Sequence, residues 1–107
     1  MDAQLRALTN PTRRQILRCL AGGERSAGDI ARRFHQTRPA ISQHLTQLCD
    51  AGLLTMRRRA QSRLYSIDVK TVDSLRVQFD DFWEQALPRL KRVVESDLRK
   101  LETKRDG

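Results

Sequence analysis

Apolar residues recur at helical spacing in five places along the chain, and one stretch between them follows a different period. Leu5 and Leu8 suggest a short leading helix. Ile16, Leu17 and Leu20 share one face of the next, which Asn10 opens as N-cap, with Pro11 at the first helical position. Gly22 and Gly23 end it. Ile30, Ala31 and Phe34 form the apolar side of a third helix that begins at Ser26 and ends near His35. Its opening, Ser26-Ala27-Gly28-Asp29, fits a capping box in which Asp29 reaches back to the cap. Thr37 then caps a fourth helix, with Ile41, Leu45 and Leu48 inside and Gly52 supplying the left-handed residue that stops it. Two short helices joined by so short a turn predict a helix-turn-helix over about residues 26–51.

Residues 53–59 and 62–67 are short, partly alternating and rich in β-formers, with Ala60-Gln61 between them. They predict a two-stranded hairpin, a wing, over about residues 53–67. From about residue 71 to 104 the period is helical again. Leu75, Phe79, Phe82, Leu87, Leu90, Val94, Leu98 and Leu101 trace one stripe, and Pro88 should kink or split the helix. The expected fold is therefore mostly α with a two-stranded β wing. It is a winged helix-turn-helix with a long C-terminal dimerisation helix, one domain across residues 1–107.

Charge adds a partner to this outline. The chain of 107 residues carries a net charge of +8. Residues 31–70 hold eight basic and two acidic residues, whereas residues 71–107 hold eight of each. Positive charge concentrated on the helix-turn-helix and wing is the footprint of a polyanion. No stretch reaches the roughly 20 apolar residues of a membrane span. The N-terminus has no signal-peptide pattern, so a cytoplasmic location is expected.

With Ile41, Leu45 and Leu48 turned inward, the fourth helix presents Arg38, Pro39, Ser42, Gln43, Thr46 and Gln47. These are hydrogen-bonding groups around one arginine, with no carboxylate among them, and they suit the major groove of double-stranded DNA. Thr37 and the first helical amides can hold a phosphate. Arg57, Arg58, Arg59 and Arg63 crowd the wing, where phosphates or a minor groove could lie against them. The helix would specify and the wing would anchor. The C-terminal stripe is too long for the preceding 70 residues to cover. Leu75, Phe79, Phe82, Trp83, Leu87, Leu90 and Val94, joined by Leu5 and Leu8, are the expected homodimer interface. A two-fold dimer would set two reading helices about 34 Å apart on a palindromic operator.

The chain resembles the ArsR/SmtB family of bacterial winged-helix repressors over nearly its whole length. Ala7-Leu8-Thr9-Asn10-Pro11-Thr12-Arg13-Arg14-Gln15-Ile16-Leu17 resembles the family's opening signature. Arg38-Pro39-Ala40-Ile41-Ser42-Gln43-His44-Leu45 resembles its recognition helix, and Ala51-Gly52-Leu53-Leu54 with Arg63-Leu64-Tyr65-Ser66 its wing. Phe82-Trp83 followed by Leu87 and Leu90 resembles a subgroup with an aromatic pair on the last helix. The resemblance implies a homodimeric repressor released by a signal. One familiar metal site uses a cysteine pair on the helix that here begins Ser26-Ala27-Gly28-Asp29. Another uses Asp and His on the last helix, and no histidine follows Val69. The expectation is therefore a repressor without metal at the usual sites and without a cofactor. Ala60-Gln61 also replaces the glycine often found at the wing turn.

His44 falls between the buried and reading faces, where it serves packing or a DNA contact. His35 fits a helix end. Cys19 and Cys49 lie on apolar faces and read as core. A thiol-redox or small-molecule-responsive repressor would need one of these thiols exposed and acidified. A non-specific basic nucleic-acid-binding protein would share the charge without the readout. An enzyme is not expected, because no nucleophile-base pair, Gly-rich phosphate loop or metal cluster stands in the sequence.

Overall fold

The computed structural model describes the backbone of residues 1–106 and the side chains of residues 1–102. Its elements run α1 (Asp2–Ala7), α2 (Pro11–Leu20), β1 (Arg25–Ser26), α3 (Ala27–Phe34), α4 (Arg38–Asp50), β2 (Leu54–Arg59), β3 (Ser62–Ile67) and α5 (Val69–Asp106). The chain divides into two compact units, Met1–Leu75 and Arg76–Gly107.

The helix boundaries of the first unit follow from local hydrogen bonding. Asn10 accepts the Arg13 N–H at 3.2 Å, Ser26 the Asp29 N–H at 3.1 Å and Thr37 the Ala40 N–H at 3.3 Å. Each satisfies an orphan donor of a first turn. Only half of the expected capping box forms at Ser26. The Asp29 carboxylate turns away from the cap to Arg25 at 3.1 Å and Arg33 at 3.3 Å, because charged donors outbid a backbone amide. The three residues between α3 and α4 form the tight turn. His35 takes a left-handed conformation (φ 52°), and the Gln36 N–H reaches the Ala31 carbonyl at 3.2 Å. Gly52 (φ 78°) ends α4 in the same way, its neighbour Leu53 donating to the Leu48 carbonyl at 3.0 Å.

One core holds this unit. Ile16 and Leu20 from α2, Ile30 and Ala31 from α3, Ile41, Leu45 and Leu48 from α4, and Leu53, Leu54 and Tyr65 around the sheet are all buried together. Among the described residues no polar or charged side chain is buried with them. The helix-turn-helix is thus seated through three helices and a sheet. Leu8 and Leu75, both expected at a dimer interface, pack against this core.

The sheet has three strands, not two, in the order β1-β3-β2 and antiparallel throughout. The added strand is only Arg25 and Ser26, too short to show a period. Its pairing with Tyr65 and Leu64 covers one edge of β3. The wing turn is Ala60-Gln61, closed by the Arg59–Ser62 pair, and Ala60 is left-handed (φ 56°). A Cβ is disfavoured there, so the missing glycine has a cost. Ala60→Gly should stabilise the protein by about 0.5–1 kcal/mol, read as a higher urea midpoint at unchanged m.

The last helix begins two residues earlier than the apolar period suggested. Asp68 caps it, accepting the Thr71 N–H at 3.1 Å. Pro88 does not split it: α5 is one helix from Val69 to Asp106. Proline removes a single backbone bond, which a helix of this length absorbs. In the second unit the aromatic rings stack edge to face, Trp83 lying 5.2 Å from Phe82 and 5.9 Å from Phe79. No described helix is long and apolar enough to cross a membrane.

Candidate nucleic-acid interface

The buried triplet Ile41, Leu45 and Leu48 fixes the rotation of α4. Arg38, Pro39, Ser42, Gln43, Thr46 and Gln47 are consequently all exposed, as the sequence implied, together with the cap Thr37. Arg38 is less free than the others, its guanidine lying back over Gly28. A Cβ there would stand 3.8 Å from Cζ, ordinary contact. His44 is half-buried. Burial, and then the nearby charge of Arg13, push its imidazole below the ordinary histidine range.

Arg13 is the residue that sequence reasoning missed. It belongs to α2, far from the helix-turn-helix in sequence, yet it joins Ser42, Gln43, His44, Thr46 and Gln47 around an open groove of about 620 Å³. Its place beside α4 follows from the packing of α2 on α4. No local pattern in the sequence carries that information.

The register divides the wing arginines. Arg58 and Arg63 are a direct cross-strand pair, on the same face as Leu54, Tyr65 and Ile67 but beyond the core. Like charges facing each other across a ladder are unfavourable unless an anion lies between them. Arg57 and Arg59 project from the opposite face. Arg57 is already committed: its Nη2 and Nε donate to both carboxylate oxygens of Glu24, at 2.6 and 2.7 Å. That hydrogen bonding, with the charges of Arg57 and Arg59, holds the Glu24 carboxyl below the usual carboxylate range. Of the four wing arginines expected to meet DNA, Arg57 is thus paired within the chain, tying the wing to the segment before β1.

Cys19 and Cys49 are both free and half-buried. Burial, aided by Asp50, pushes the Cys49 thiol above its ordinary range, which disfavours the thiolate. Among the described residues no three His, Cys, Asp or Glu side chains gather into a cluster. Along α5, Phe79, Phe82, Leu87, Leu90 and Val94 are each between 40% and 55% exposed.

Comparison with known proteins now fixes the family. Residues 10–55 match the model of bacterial regulatory proteins of the arsR family. The chain is 36% identical over 96 residues, 90% of each protein, to the HTH-type transcriptional regulator Rv2034 of Mycobacterium tuberculosis. The chain belongs to the arsR family. It is a winged helix-turn-helix, DNA-binding transcriptional regulator, not an enzyme. It is 41% identical over 68 residues to the transcriptional repressor SdpR of Bacillus subtilis, covering 64% of this chain and 76% of that one. It is 35% identical over 71 residues to the transcriptional activator HlyU of Vibrio cholerae, covering 66% of each. Its arsR-family relatives thus include both repressors and activators.

Two solved structures bear on the architecture. One, a possible transcriptional regulator for arsenical resistance, has a TM-score of 0.69 at 41% identity, over 75% of this chain and 83% of that one. The other is the homodimeric winged helix-turn-helix DNA-binding domain of a possible arsR-family regulator from Mycobacterium bovis. It has a TM-score of 0.65 at 30% identity over 78% of each chain.

Proposed function

We propose that this arsR-family regulator is a homodimeric repressor that places α4 of each protomer in successive major grooves of a palindromic operator. The observation that carries the reading is the outer face of α4. Five exposed side chains there, Arg38, Ser42, Gln43, Thr46 and Gln47, offer hydrogen bonds or a cation, and the one carboxylate, Asp50, stands at the last residue of the helix. Gln43 and Gln47 suit adenine edges, and Ser42 and Thr46 suit base edges or phosphates. The amide end of α4 with Thr37 suits a phosphate.

Arg58 and Arg63 are the anchors on the wing. Each contact with a phosphate releases a counterion, so Arg58→Ala or Arg63→Ala should weaken binding to all DNA. Each should also flatten the slope of log K against log salt by about one for each protomer on the DNA. Arg57→Ala should leave the slope nearly unchanged, since Glu24 already neutralises that arginine. Titrating salt against fluorescence anisotropy checks both, and slopes unchanged from wild type in all three variants would take the wing off the DNA.

The repressor reading draws on the SdpR likeness and on a dimer that occludes its own operator. Metal is not required in this reading, because the thiolate pair and the C-terminal His are missing from the sequence. The raised Cys49 thiol argues against a redox trigger at that residue. The test is binding to the DNA upstream of the protein's own gene, with scrambled DNA as competitor and a chelator present, joined to a reporter from that promoter. Competitor-resistant binding and a fall in reporter expression are expected. Equal binding to both DNAs would indicate a non-specific coating protein, and a rise in expression an activator.

A further inference from the structure

The groove between α2 and α4 combines features that ordinary surface packing leaves unexplained. Arg13 enters it from α2, and His44 from α4, with Ser42, Gln43, Thr46 and Gln47 along its wall. The Nε of Arg13 is buried without a hydrogen-bond partner among the described residues. That donor is closed to solvent, so only the remainder of the guanidinium can meet a group entering the groove. Across the groove stands the half-buried imidazole of His44, whose protonated form the charge of that same guanidinium disfavours. The other charged groups near this end of the fold are Arg6 of α1 and Asp50 of α4. They line an adjoining groove that shares Arg13 and Gln47. The remaining charged residue of α4, Arg38, lies at its start, against Gly28.

We propose that Arg13 and His44 clamp one backbone phosphate of the DNA, and that His44 takes up a proton from solvent as the phosphate arrives. This rests on the reading of α4 as the recognition helix. The phosphate ridges run along both sides of a helix lying in the major groove, so a cation beside the middle of α4 faces one of them. A phosphodiester has two free oxygens and one negative charge. The guanidinium can hold one oxygen and the imidazolium the other, as charge-assisted bonds. In the free protein, burial and then the charge of Arg13 disfavour the protonated ring of His44. The phosphate charge cancels that repulsion and replaces lost solvation, so the bound state favours the protonated ring. Binding and protonation are then linked. DNA affinity rises as pH falls through the interval between the bound and free titrations of His44.

The contact is to the backbone, so the test needs no operator. The full-length protein is titrated with a scrambled duplex at low salt, between about pH 5.5 and 8, and the His44 ring proton is followed by NMR. On adding duplex, the His44 titration should move to higher pH. Affinity should gain up to about tenfold per unit of falling pH for each bound protomer within that interval. His44→Gln should remove this share of the pH dependence. Arg13→Gln should reduce the salt slope by about one for each bound protomer, and Arg13→Lys should restore the slope. The clamp is overturned, with the helix-turn-helix reading intact, if wild type binds the duplex but His44 titrates unchanged and Arg13→Gln keeps the slope. A wild-type protein that binds no duplex at all overturns both.

Discussion

Leu45→Ala is expected to cost about 2–5 kcal/mol, a large part of the stability of a domain this small. Leu45 is 0% exposed and sits between Ile41 and Leu48 on α4, which packs against α2, α3 and β2. Truncation removes apolar atoms from a closed site and leaves a cavity that three surrounding elements cannot easily collapse into. The effect reaches function, since the same side chain fixes the rotation of α4 and hence which residues face outward. Urea unfolding followed by circular dichroism measures the loss. Thr46→Ala, one position away but exposed, should stay within about 0.5 kcal/mol. Similar losses at both positions would mean that α4 is not seated as described.

The joint change Phe82→Ala with Trp83→Ala should have the largest effect on assembly. The two rings stack at 5.2 Å on a helix whose large apolar side chains are about half exposed, Phe82 at 50%. A contiguous apolar face of that kind marks an interaction site, and a second copy of α5 is the partner that the homodimeric relative suggests. Buried aromatic anchors lose about 2 kcal/mol or more each on truncation, and a homodimer loses them from both protomers, so the dimer constant should weaken by at least about three orders of magnitude. On an operator with two half-sites, the monomer also forfeits the gain from linked binding, about 10²–10⁴. Sedimentation equilibrium and anisotropy on the same operator test the two losses together. A double variant that remains a tight dimer would refute this use of α5.

The helices were legible because their signals are local. A cap needs only a side-chain oxygen three residues before the amide it accepts, so Asn10, Ser26 and Thr37 could be read directly. The apolar period placed Ile41, Leu45 and Leu48 inside and so exposed Ser42, Gln43, Thr46 and Gln47. Where the reading departed from the structure, a competing interaction came from elsewhere. Asp29 left its cap for Arg25 and Arg33. β1 is a strand only because β3 runs beside it.

By itself, then, the sequence determined the winged helix-turn-helix, the basic character of its middle, the exposed face of α4 and the apolar stripe of α5. Period, capping and charge are properties of neighbouring residues, and all of them survive folding. Only the tertiary structure decided which arginines are available. It paired Arg57 with Glu24, 33 positions away, and set Arg58 opposite Arg63 through the strand register. It also brought Arg13 to the side of His44 by packing α2 on α4. Such pairings join residues distant in the chain, and their energies depend on burial and register that no local pattern encodes.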